Sequence, residues 1–278
     1  MHVPDTLTAM LNLLLAPLSE DFFLRAVIAI LLCGVTAACL GTYIIVRRMA
    51  FISTALTHSI LPGVVGAALL GLSLYLGALV AALLTAAGVA WLSNRKGSSE
   101  DSAIGVMLSV MFALGIALMS VSRAWRDFTG LLFGSIVSVG TEDLVMIAIT
   151  SLVVLLALRV LHKELELGSF DEEYAHLIGA RPQLLRAVLL ILIACAAVTC
   201  VRLVGALLTT ALFVIPAATG IRLGKTLAQV MAWSTGCAIT GGLAGLYLSY
   251  YVAGMPSGAA IVLCCATPYF LVRARKNS

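Results

Sequence analysis

Thr54, Thr57 and His58 fall three and four residues apart in the run FISTALTHSILPGVVGAALLG, so on a helix they share one face. His58 is the only histidine inside an apolar run. An ionisable side chain at membrane depth is costly and faces a bundle interior or a polar cavity, which makes it a functional candidate by default. Pro62 strengthens the case, because it has no amide hydrogen for the carbonyl four residues earlier, and that carbonyl is His58's own. One residue then offers an imidazole and a released carbonyl, both of which can hold a cation. Interrupted helices of this kind mark ion sites in transport proteins, since unpaired backbone is tolerated only where it lines a cavity or is buried in protein. The same residues also fit a kinked helix whose histidine bonds a neighbouring span, and both readings stay open at this point.

A second break occurs in VGALLTTALFVIPAATG, where Pro216 releases the carbonyl of Leu212 and Thr209 and Thr210 add hydroxyls. Its spacing fits a packing kink better than a site. Gly241 and Gly245 form a GxxxG pair that permits close helix contact. Gly220, Gly224, Lys225 and Thr226 imitate a phosphate-binding loop but have one residue too few between the glycines, and they follow an apolar run rather than a strand. Cys33, Cys39, Cys195, Cys200, Cys237, Cys264 and Cys265 lie in apolar runs without a CxxC pair, so they read as small buried hydrophobes. A membrane-embedded enzyme finds no support, because HExxH, GxSxG and a close pair of buried acids are all missing.

The elements that must position these residues follow from composition. Of 278 residues, 62% are hydrophobic and only 11% charged, with a mean hydropathy of +1.11. A water-soluble core cannot absorb so much apolar surface, whereas lipid can, provided each segment satisfies its own backbone; runs of about 20 apolar residues do so as helices. Spans are expected near 22–46, 52–71, 74–92, 104–122, 141–160, 184–201, 203–220, 227–249 and 257–273, with a very tight turn at Arg202. The fold class is all-α, a polytopic transmembrane bundle of about nine spans within a range of eight to ten. Residues 1–278 read as a single membrane domain with no soluble domain, and Leu7–Leu18 as a short interfacial helix. No basic leader opens the chain.

Orientation follows from the basic residues. Arg47 and Arg48, Arg95 and Lys96, Lys163 with Arg181 and Arg186, Arg222 and Lys225, and Arg273, Arg275 and Lys276 collect on one side of a nine-span chain. That side should be cytoplasmic, with the C-terminus inside and the N-terminus outside. Asp5, Glu20, Asp21, Glu142 and Asp143 fall opposite, together with Arg123 and Arg126. The net charge of +4 is accounted for by this anchoring and needs no nucleic acid.

The polar stretch from His162 to Arg186 carries its own signal. Ser169 and Glu172 form a capping-box pattern, acidic Asp171, Glu172 and Glu173 fill a first turn, and Gly179 and Pro182 supply a stop. A short helix is expected from Phe170 to Ile178, with Phe170, Tyr174, Leu177 and Ile178 on one face. Such a helix must dock against this protein's own helix ends or against a partner.

From Leu32 to Leu271 the chain resembles the membrane permeases of bacterial metal-ion ABC transporters, the zinc, manganese and iron importers. The pieces that carry the resemblance are RRMAFISTALTHSILPG at 47–63, FDEEYAHLIGA at 170–180, VGALLTTALFVIPAATG at 204–220 and SYYVAGMPSGAAIVL at 249–263. The resemblance implies a permease dimer, a pair of cytoplasmic ATP-binding subunits and an extracytoplasmic metal-binding protein. It implies a transport subunit rather than an enzyme, with no bound cofactor, a divalent metal ion (Mn, Zn or Fe) as cargo, and ATP on the partner subunit. The expected location is the bacterial cytoplasmic (inner) membrane. In that picture the helix at 170–178 is a cytoplasmic coupling helix, and Glu173, Ala175 and Gly179 match the E-x-A-x-x-x-G element that seats in an ATPase groove.

The family pattern in the second span has an aspartate four residues before the histidine, and here that position is Thr54. His58 carries over as the metal ligand, with Thr54 as a weak neutral oxygen and Thr57, Pro62 and Pro216 as pathway residues. Gly254 is a second departure, standing where an acidic residue often precedes the PSG element. The loss of both acids fits either a changed site or one half of a paralogous heterodimer whose partner keeps the carboxylates, with the heterodimer favoured over a homodimer. Alternating access is the implied cycle. The rival functions are an ABC importer permease for a metal chelate, such as a siderophore or corrinoid, and an ion-coupled secondary transporter. The first would need no intramembrane ligand, and the second would need paired intramembrane carboxylates.

Overall fold

The computed structural model describes residues 16–94, 99–122, 139–170, 181–252 and 254–276. After a 3-10 turn, Ala16–Ser19, come α1 (Asp21–Val46), α2 (Phe51–Leu69), α3 (Leu74–Ser93), α4 (Glu100–Ser122), α5 (Thr141–Val160), α6 (His162–Phe170), α7 (Pro182–Val204), α8 (Ala206–Leu223), α9 (Leu227–Tyr251) and α10 (Ser257–Lys276). No strand occurs among the described residues. The chain is an all-α, multi-pass membrane bundle.

Eight of these helices are long and apolar enough to cross a membrane, and all but α6 are long enough in residues. The expected spans map one to one onto α1–α5 and α7–α10. α9 is the helix that length supports and hydropathy does not. Its 25 residues include Gln229, Ser234, Thr235, Thr240 and four glycines. Of these, Ser234, Gly241, Gly242 and Gly245 are buried, on the side of α9 that packs against α1, α8 and α10. Gly241 sits against Cys265 and Gly245 against the backbone of Ile261, so the GxxxG pair forms the α9–α10 contact.

The turn between the two central spans lies at Gly205 rather than at Arg202. α7 runs on through Arg202 to Val204, and Gly205, at φ 84 and ψ 163, ends one helix and starts the next. Only glycine takes that conformation readily, so the residue that can turn sets the boundary, not the charge three positions earlier. Arg202 instead reaches Asp143 of α5 at 3.1 Å. Near the other end of α7, Arg186 pairs with Glu100 of α4 at 2.7 Å.

Ser169 lies within α6, its hydroxyl turned back to the Leu165 carbonyl and accepting a bond from Arg47 Nε at 3.0 Å. α6 is further tied to α1 by Tyr43, whose hydroxyl lies 2.7 Å from His162 Nδ1. The expected helix after Phe170, with Glu173, Ala175 and Gly179, lies outside the described residues, as does most of Leu7–Leu18. The seven cysteines are free, and Cys33, Cys200, Cys237 and Cys265 are buried.

α2 is a central helix, packed on α3 and α4. Gly63 and Gly77 meet backbone to backbone across α2 and α3, so that a Cβ on either would strike the carbonyl of the other. This close approach fixes the helix that carries His58.

Candidate functional site

α2 and α8 place the two proline-containing runs beside one another. An open groove of about 630 Å³ is lined by Ala50, Phe51, Thr54 and His58 of α2 with its preceding residue, by Ala206, Leu207, Thr210, Ala211 and Val214 of α8, and by Val262 of α10. Apart from His58, Thr54 and Thr210, every lining side chain is apolar.

The hydroxyls around the groove fall into two kinds. Thr57 is buried and donates to its own helix, to the Thr54 carbonyl at 3.0 Å. Thr210 does the same to the Ala206 carbonyl at 2.8 Å, and the two hydroxyl oxygens lie 3.4 Å apart. Back-bonding of this sort occupies the hydroxyl proton and holds the rotamer. Thr54 and His58 differ: among the described residues neither side chain has a hydrogen-bond or ion-pair partner. Half-buried and one helical turn apart, they present an uncommitted hydroxyl and an uncommitted imidazole to the same groove.

α4 closes over this part of α2. The Phe112 ring meets the His58 imidazole edge-on, with centroids 5.7 Å apart and planes at 79°. One turn further, Gly115 leaves room for Leu61 and Pro62: a Cβ there would lie 2.9 Å from Leu61 Cδ2 and 3.1 Å from Pro62 Cδ. Pro62 is buried inside α2, so the break below which the His58 carbonyl is released is covered by protein.

Of the residues singled out from sequence, Thr54 and His58 face the groove, and Thr57 stands directly behind it against Thr210. Pro62 sits at the α4 contact and does not line the groove. Pro216 is buried on the opposite flank of α8, where the neighbouring Phe213 carbonyl packs on Gly41 of α1. Its surroundings are those of a packing kink. Gly254 occupies the turn between α9 and α10 at φ 81, away from the groove, in a conformation that an acidic residue would adopt only with strain. Glu173, Ala175 and Gly179 lie outside the described residues.

Two contributors were not legible as site residues. Thr210 reads in the sequence as one of two adjacent hydroxyls, and the structure separates them: Thr209 is buried and bonded to the Gly205 carbonyl at 2.7 Å, while Thr210 reaches the groove. Phe112 gives no local signal at all, because its role arises from a contact across 54 positions of chain. Among the described residues, no three His, Cys, Asp or Glu side chains gather into a metal-binding group.

Residues 19–276 match the ABC 3 transport family. The chain is 30% identical, over 251 residues covering 90% of it and 89% of the relative, to the "Manganese transport system membrane protein MntC" of Listeria monocytogenes. It is 34% identical, over 266 residues covering 95% and 93%, to a "Probable iron transport system membrane protein" of Haemophilus influenzae. Among solved structures, "PsaBC from Streptococcus pneumoniae in complex with Fab" superposes with a TM-score of 0.82 at 29% identity, covering 95% of each chain.

Proposed function

The chain belongs to the ABC 3 transport family, and from that premise we propose that it is the permease subunit of an ATP-driven importer moving a divalent transition-metal ion, manganese, iron or zinc, across the cytoplasmic membrane. The observation that carries the reading is the uncommitted pair in the groove: Thr54 and His58, one turn apart, with no hydrogen-bond or ion-pair partner among the described residues. Neutral imidazole is a good ligand for borderline divalent metals, and a hydroxyl adds a weak oxygen. The names of the Listeria and Haemophilus relatives point to manganese and iron as the first cargoes to test.

Such a site must hold a partly dehydrated cation firmly enough to admit it and loosely enough to release it. One imidazole and one hydroxyl within apolar walls meet the second condition better than the first. The remaining ligands come from a second permease subunit, and a paralogous partner that keeps the carboxylates fits best. Hydrolysis of ATP belongs to separate cytoplasmic subunits, and an extracytoplasmic metal-binding protein delivers the ion. Glu173, Ala175 and Gly179 seat in the ATPase groove, and their movement switches the pathway at His58 from outward to inward exposure.

The test is elemental mass spectrometry of cells lacking the gene and complemented with the original chain, His58→Ala or Glu173→Ala. Loss of one metal in the deletion, unrestored by either variant at normal membrane abundance, is the expected result. No metal changing in the deletion would remove the metal cargo and point to a larger chelate. Full restoration by His58→Ala would place the ligands elsewhere, and full restoration by Glu173→Ala would remove the coupling assignment.

A further inference from the structure

Where α1 hands over to α2 and α8 to α9, a second cavity of about 400 Å³ opens, lined by Ile45, Val46 and Arg48 from the first turn and by Ile221, Lys225 and Leu227 from the second. Arg48 is the only non-glycine residue with positive φ among the described residues, at 59°. It closes α1 in the arrangement that glycine serves by default: Met49 N–H bonds the Ile44 carbonyl at 2.8 Å and Arg48 N–H bonds the Ile45 carbonyl at 3.0 Å. A residue bearing a Cβ is disfavoured in that conformation. The backbone would be more relaxed with glycine, so what the arginine contributes must come from its side chain.

Lys225 faces the same cavity from the other turn. Neither cation has an acidic partner among the described residues, and no aspartate or glutamate lines the space between them. Two like charges across one cavity repel unless an anion lies between them. The first-turn groups of α9 are already engaged, with Thr226 Oγ1 accepting from Gln229 N–H at 3.3 Å and Lys225 N–H donating to Gln229 Oε1 at 3.0 Å. Recognition therefore falls to the two side chains. Apart from Gly224 and Thr226, the rest of the lining is aliphatic and belongs to the last turns of α1 and α8 and the first turn of α9, so the cavity joins two basic side chains to an oily wall.

We propose that this cavity is a binding site for an anionic phospholipid, its phosphate held between Arg48 and Lys225 and its acyl chains starting along Ile45, Ile221 and Leu227. Basic pockets between helix ends at a membrane face take acidic headgroups, and the aliphatic half distinguishes a lipid from a free phosphate. The proposal needs only that the chain spans a membrane and is independent of the cargo assigned above.

The test uses the assembled transporter, reconstituted in equal amounts of phosphatidylglycerol and phosphatidylcholine, re-extracted and analysed by native mass spectrometry for retained lipid. Variants are Arg48→Gly, Lys225→Gln and the pair together. Arg48→Gly removes the charge while relaxing the backbone, so thermal stability should be kept or raised, which separates lipid loss from unfolding. The original should retain phosphatidylglycerol selectively, each single variant should lose about five-fold and the double variant about twenty-five-fold, the increment expected per basic side chain at an anionic surface. Equal retention of both lipids by the original, or undiminished phosphatidylglycerol on the double variant, would overturn the site. Displacement by millimolar inorganic phosphate would overturn it in favour of a free anion. Loss of the ATP-binding subunits with lipid retained would overturn it in favour of a protein contact.

Discussion

Gly63→Ala should force α2 away from α3 and lower both stability and transport, whereas Gly66→Ala, three residues along the same helix, should do neither. A Cβ on Gly63 runs into the Gly77 carbonyl and comes to 2.6 Å from Ala81 Cβ, which is 0.8 Å short of the 3.4 Å where ordinary contact begins. Backbone is the obstacle, so no rotamer change relieves it and the helices must separate. Overpacking of this kind costs about 1–3 kcal/mol. A Cβ on Gly66 meets nothing within 4 Å, and alanine is favoured over glycine in a helix by up to about 1 kcal/mol. That gain is common to both positions and cancels, so the two variants should differ by about 1–3 kcal/mol, the overpacking cost, although they add the same methyl group. Thermal unfolding in detergent, followed with a thiol-reactive dye, would report on the buried Cys33, Cys200, Cys237 and Cys265. Because His58 lies five residues before Gly63 on α2, parting α2 from α3 also shifts its imidazole relative to Phe112. Uptake should fall in Gly63→Ala at normal abundance and stay unchanged in Gly66→Ala. Coincident melting and equal uptake for the two would refute the claim that a glycine contact sets the position of the site.

Thr54→Asp should strengthen cation retention, because it sets a carboxylate beside the imidazole at i, i+4 spacing; a higher manganese-to-zinc accumulation ratio in cells is the expected sign, since carboxylate oxygen suits manganese. An unchanged ratio with lower uptake of both metals would mean that Thr54 does not meet the ion. Arg186→Gln and Glu100→Gln should each destabilise the chain and show a coupling of about 1–2 kcal/mol in a double-mutant cycle, between the ranges for exposed and buried pairs, since the two side chains are 13% and 31% exposed. The same cycle at Arg202 and Asp143, where the arginine is 47% exposed, should give less than about 1 kcal/mol. Equal couplings at the two ends would mean that burial does not govern them.

Most of the fold is legible in the sequence because lipid imposes one rule on every span: its backbone must be satisfied internally over a length fixed by the bilayer. That rule locates α1–α5 and α7–α10 without reference to their neighbours. It is weaker where tertiary contacts intervene. Gly205 rather than Arg202 turns the chain because a glycine conformation is a backbone property that a charge pattern does not report. Ser169 carries the sequence signature of a cap, yet it lies inside α6, with Arg47, just past the end of α1, as a side-chain partner. In the groove, the face shared by Thr54 and His58 follows from helical period alone, while Thr210 and Phe112 depend on which helices meet. Periodicity gives a residue its face, and packing decides what that face meets.

The groove's chemistry also bears on how many chains the site needs. A divalent ion surrounded by Ala206, Leu207, Val214 and Val262 gives up hydration that apolar walls cannot replace. Thr57 and Thr210 have their hydroxyl protons committed to their own helices, so at the proposed site one protomer would offer the ion chiefly the Thr54 hydroxyl and a neutral His58 imidazole. Neutral ligands lower the cost of dehydration without balancing two positive charges. A carboxylate at position 54 would supply one of those charges from within the chain; on the proposed reading, threonine leaves it to be supplied across the groove's open side. Reading the groove as half of a shared site thus accounts together for its openness, for the absence of an acid at position 54, and for an imidazole without a hydrogen-bond or ion-pair partner among the described residues.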